Sequence, residues 1–290
     1  MFKQVLDFYI RSSLHVAFCF VALSFVISGN NPSSVSAPLF YVLQFCLVLC
    51  AYNFMKYGDL VRIGRDFRFK LPVVALTVCV AVVGFVLLIP EFTHIYGFLT
   101  ALIILGLLYT FPFIFGKNLR SFVFLKLPIV ALSWTILIAA YINNTELAAL
   151  RKYVGSTFCC FCNYDRFVWI DEQLAFLALG IFFFVFALCI PFEIRDIKYD
   201  KTHIQTLPQV LGLKRTKLLG YVSVIFALLF FNTYYNASPF ALDLGLTHLY
   251  LICVVTCLSI YYANTAKSDY YASLFVEAIP VLWLVFYFIL

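Results

Sequence analysis

Apolar residues fill most of this chain in nine runs, at 11–28, 38–57, 70–89, 95–115, 121–142, 173–192, 217–236, 244–263 and 272–290, separated by short polar segments. Each run is long enough for a helix to cross ~30 Å of hydrocarbon, which takes roughly 17–25 residues. The pattern predicts an all-α polytopic membrane protein of nine transmembrane helices. Pro38, Pro72, Pro90, Pro112, Pro128, Pro191, Pro239 and Pro280 mark run ends or interior kinks. Pro128 and Pro280 fall inside runs, where neighbouring helices must satisfy the freed carbonyls. No linker or low-complexity segment divides residues 1–290, which read as one transmembrane domain. The polar exits of the second and sixth runs, at Asn53 and Glu193, lie four helices apart on one side of the membrane. That spacing suggests two four-helix halves plus a ninth helix, with a central cavity between the halves open to the cytoplasmic side.

Composition agrees with this reading. The chain is 64% hydrophobic and 12% charged, against about 45–50% and about 25% in soluble domains. All but Arg151, Lys152 and Arg166 of its 20 basic residues fall on the side shared by the N-terminus and the even-numbered exits. The asymmetry places the N-terminus and those loops in the cytoplasm and the C-terminus outside. It also accounts for the net charge of +6, so no nucleic-acid partner is expected. Lys3 and Asp7 precede the first run, and no small-residue cleavage site follows it, so no signal peptide is expected. Most of the ten cysteines sit singly in apolar runs as packing residues. Cys159, Cys160 and Cys162 cluster in the long outer loop 143–172, without the second ligand pair a zinc site needs. That cluster reads as incidental or as a loop disulfide.

The polar run 192–212 stands apart. Glu193, Asp196 and Asp200 fall on one helical face, where three carboxylates repel unless a cation or water compensates them. Asp196 and Asp200, four residues apart, can share a hard cation such as Mg²⁺, which commonly bridges to phosphate. The interleaved Arg195, Lys198 and Lys201 can donate to the same phosphate oxygens. The alternative is a solvated loop whose acids and bases pair with each other. Next come Thr206, able to cap a short helix, Pro208, and Gly212, able to close it. At 277, Glu277 lies inside the last run, where an acid is costly unless it faces a cavity or a partner.

Asp196-Ile197-Lys198-Tyr199-Asp200, then Lys201, then Thr206-Leu207-Pro208 and Gly212, resembles the second aspartate-rich region of the UbiA superfamily of intramembrane prenyltransferases. The match is about 25 residues long and follows the sixth of nine helices, as in that family. The family's first motif, a run of acids after helix 2, is eroded: Asn53 stands at its leading Asn, but Phe54, Tyr57 and Val61 occupy the acidic positions, and Asp59 is out of register. The resemblance implies a Mg²⁺-dependent transfer of an isoprenyl group from its diphosphate to a lipophilic, aromatic-type acceptor within the membrane. It implies Asp196 and Asp200 as catalytic metal ligands with Glu193 in support. Asn53, Lys56, Lys117, Arg120, Lys198 and Lys201 are then the expected diphosphate contacts. Lys56, aided by Arg62, Arg65 and Arg68, can replace the lost acids with direct positive charge; alternatively it is a snorkelling residue at the interface. The eroded motif also admits a catalytically degenerate isoprenoid-binding homologue, and the same scaffold admits an isoprenoid cyclase.

Overall fold

The computed structural model describes residues 2–28, 37–62, 64–111, 118–139, 172–198, 206–237 and 246–290. These residues are helical, with no strand among them. The helices are α1 (Phe2–Arg11), α2 (Leu14–Ser28), α3 (Ala37–Arg62), α4 (Lys70–Thr110), α5 (Lys126–Ala139), α6 (Glu172–Asp196), α7 (Leu207–Leu211), α8 (Leu213–Ala237), α9 (Thr247–Tyr262) and α10 (Ile279–Ile289). A π-helical turn, Tyr271–Val276, leads into α10. Among the described residues five stretches are long and apolar enough to cross a membrane: Pro38–Gly58, Lys70–Ile89, Leu174–Asp196, Leu213–Asn236 and Tyr271–Ile289. A sixth results if α1 and α2, which meet at 61°, count as one broken span. Gly97–Thr110, α5 and α9 are apolar but shorter.

The sequence predicts separate helices at 70–89 and 95–115, whereas α4 runs unbroken through Lys70–Thr110. A proline removes a single helical hydrogen bond, and the helix carries on from the apolar stretch Lys70–Ile89 into the apolar stretch Gly97–Thr110. The outer-loop expectations, including the Cys159/Cys160/Cys162 cluster, fall outside the described residues.

Lipid tails are as apolar as leucine, so helices associate in a membrane through close packing. The tightest approach joins α6 to α8. A Cβ on Gly180 would lie 2.8 Å from the ring of Phe231, so only glycine admits that ring. Phe231 and Phe184 are fully buried, and both set their rings edge-on to Trp283 of α10, at 5.7 and 4.9 Å. The indole N–H of Trp283 donates to His248 Nδ1 at 3.0 Å, tying α10 to α9.

The bend between α1 and α2 is held from α3. Asn53 Nδ2 donates to the Ser12 carbonyl at 3.1 Å and to Thr77 Oγ1 at 2.8 Å. Tyr57 donates to the Arg11 carbonyl at 2.8 Å, and Lys56 Nζ to the Ile10 carbonyl at 3.4 Å. Asp7 adds an ion pair to Arg68 at 2.7 Å and accepts a hydrogen bond from Tyr270. The segment resembling an eroded first motif therefore anchors the N-terminal elbow.

Candidate functional site

The bundle forms a partly open cavity of about 650 Å³, within the roughly 300–1,000 Å³ range of ligand pockets. Its walls come from α2 through α6 and from the start of α10. The charged lining residues sit at helix ends: Lys56 near the end of α3, Lys126 at the start of α5, and Glu193, Arg195 and Asp196 at the end of α6. Arg120 precedes α5, and Glu277 lies just before α10. The apolar lining residues lie further along the same helices: Leu47 and Val48 on α3, Leu137 on α5, Val185 and Leu188 on α6. At 1.5 Å per residue, Leu47, Leu137 and Val185 are each displaced about 12–17 Å from the charged residue of their helix. The cavity thus has one charged end and a long apolar body.

The short helix α7 shapes the charged end. Gln209 Oε1 accepts from the Thr206 backbone N–H at 2.8 Å, and Gly212 closes the helix at φ 81°, which favours glycine. The next N–H, of Leu207, donates to Glu193 Oε2 at 3.2 Å. Lys126 Nζ lies 2.7 Å from Glu193 Oε1 and 3.5 Å from Asp196 Oδ2. Arg195 donates twice to Asp196 Oδ1, at 2.9 and 2.7 Å, and once to Ser273 Oγ at 2.7 Å. Both α6 carboxylates are therefore compensated by protein cations. The sequence shows Arg195 beside the acids but cannot show that Lys126, from another helix, enters between them.

Of the expected site residues, Glu193, Asp196, Lys56 and Arg120 line the cavity together. Asn53 does not line it, and its amide nitrogen is committed to Ser12 and Thr77. Lys198 also lies outside the lining, donating to the Lys267 carbonyl at 2.7 Å, with Asp269 Oδ1 at 3.5 Å. Lys117, Asp200 and Lys201 fall outside the described residues. Arg120 makes no hydrogen bond or ion pair among the described residues, so its five donors are available to a ligand.

Among the described residues no group of three or more His, Cys, Asp or Glu side chains could hold a metal ion. Glu193 and Asp196 already face ammonium and guanidinium groups. Asp200, the other ligand expected for Mg²⁺, falls outside the described residues. What the described charges can do is hold an anion: Lys56, Arg120 and Arg195 line the same end of one apolar cavity. Comparisons of the chain with models of protein families, with curated proteins and with solved structures return no match.

Proposed function

We propose that the protein binds an isoprenyl diphosphate in this cavity and transfers the isoprenyl group to a lipophilic acceptor, at the cytoplasmic face of the membrane. A cytoplasmic N-terminus, inferred from the distribution of basic residues, belongs to this reading. One observation carries it: a cavity whose one end holds Lys56, Arg120, Lys126 and Arg195 beside the carboxylates of Glu193, Asp196 and Glu277, a positive excess, and whose remaining length is hydrocarbon-like. An amphiphile with a strongly anionic head and a long apolar tail matches both parts. Lys56, Arg120 and Arg195 would stabilise charge on the leaving diphosphate as the C–O bond breaks. Phe20, Tyr52 and Trp134 line the apolar part and offer π faces to a developing carbocation.

A specific observation favours a second reading, an isoprenoid-binding homologue without transfer: the α6 carboxylates are occupied by Lys126 and Arg195. Purified protein incubated with labelled farnesyl diphosphate and a lipophilic acceptor, with and without Mg²⁺, separates the two. The proposal expects release of pyrophosphate. Lys56→Ala and Arg120→Ala should each weaken diphosphate binding by about tenfold or more, the effect of losing a hydrogen bond between charged groups. Binding without release under either condition supports the second reading, and absence of binding sinks both.

A further inference from the structure

Three acids line the cavity, and they differ in one respect. Glu193 and Asp196 are held by Lys126 and Arg195 at short range. The Glu277 side chain makes no hydrogen bond or ion pair among the described residues, although it lines the cavity. The charges acting on it are those of Lys56 on α3 and Arg195 on α6. Tyr52 and Cys189 lie within its electrostatic reach from the same two helices, and Tyr9 and Cys19 from α1 and α2. A carboxylate near two cations but bonded to neither retains its acceptor lone pairs for a ligand.

The backbone fixes its position. Glu277 closes the π-helical turn, its own N–H donating to the Ala272 carbonyl at 3.1 Å. Turns of this kind re-aim side chains and recur at functional sites. The turn is braced by α2, because His15 Nε2 lies 3.0 Å from the Leu274 carbonyl. A carbonyl only accepts, so Nε2 carries the proton and Nδ1 accepts from the Tyr9 hydroxyl at 3.1 Å. Phe20 and Trp134, whose rings meet edge-on at 5.0 Å, line the same cavity.

We propose that Glu277 is the anchoring point for a second ligand, an apolar molecule whose polar head carries an O–H or N–H donor, bound alongside the anion that Lys56 and Arg120 receive. Only the naming of that ligand as the acceptor of isoprenyl transfer rests on the function proposed above; the binding site stands on the geometry.

The test uses the full chain in detergent. Its probes are 4-nonylphenol, its methyl ether 4-nonylanisole, which has the same body but no donor, and farnesyl thiodiphosphate, a non-ionising anion. The wild type should bind the phenol about tenfold more tightly than the ether, in line with a charge-assisted hydrogen bond. Glu277→Leu should bring that ratio to about one. Glu277→Gln, similar in shape and still able to accept through its amide oxygen, should give an intermediate ratio and guards against misfolding of the leucine variant. Farnesyl thiodiphosphate affinity should not fall in either variant, because removing a negative charge near Lys56 and Arg195 does not oppose an anion. An equal preference of the wild type for phenol and ether overturns the assignment, as does a preference that survives in both variants. A loss of thiodiphosphate binding as large as the loss of phenol binding also overturns it, by making Glu277 part of the anion site. If the wild type prefers the phenol through Glu277 but binds no thiodiphosphate, the prenyl diphosphate reading fails and the Glu277 site stands.

Discussion

Replacing Lys126 with methionine should lower the stability of the protein by about 3–5 kcal/mol, the cost of leaving a buried ionic partner uncompensated. Glu193 is only 2% exposed, and Lys126 supplies its one short ionic contact among the described residues, at 2.7 Å. Among the described residues, removing the ammonium leaves that carboxylate with the Leu207 N–H alone, and it also takes one of two cations from Asp196. Methionine keeps the length and the apolar stem, so packing changes little. Thermal or denaturant unfolding in detergent reads the loss. Adding Glu193→Gln should restore much of it, because a neutral amide costs less to bury unpaired. A Lys126→Met variant as stable as the wild type would mean that the ion pair is solvated.

The second large effect is expected at Trp283. Truncation of a buried tryptophan to alanine costs about 3–5 kcal/mol. Here it opens a cavity against Phe184 and Phe231, both fully buried, and also strips the donor from His248 Nδ1. Trp283→Phe keeps one of the two fused rings and loses the N–H, so its cost should be smaller, about 1–3 kcal/mol, in line with an unsatisfied buried acceptor. Unfolding curves of the two variants separate packing from the hydrogen bond. Equal losses in both would assign the whole effect to the hydrogen bond.

The membrane character of the chain was legible because it depends on composition and run length, which need no tertiary information. So was the short helix bounded by Thr206 and Gly212, since capping and positive φ are local properties. The breaks were less legible. Pro90 reads as punctuation, yet α4 continues through it, because one lost hydrogen bond does not oblige a helix to end. The candidate site was legible by residue and not by pairing. Helical spacing puts Glu193 and Asp196 on one face, but the arrival of Lys126 depends on how α5 packs beside α6. The position of Asn53 suggests a ligand contact by resemblance, whereas its side chain bonds Ser12 and Thr77. Glu277 announced itself by cost alone, as an acid in an apolar run, and its cavity-facing position depends on the π-helical turn, for which the sequence offers no clear signal.

The central claim is that an isoprenyl chain lies along the cavity with its anionic head at the charged end. Photo-crosslinking tests it most directly, with a prenyl diphosphate carrying a diazirine at the tail and the labelled residues mapped by mass spectrometry. The account predicts labelling of α3, α5 and α6 around Leu47, Leu137 and Val185, competed by unlabelled farnesyl diphosphate and diminished by Arg120→Ala. Labelling confined to outward-facing residues such as Leu71 and Phe85, which are 81% and 67% exposed, and insensitive to competitor, would contradict it.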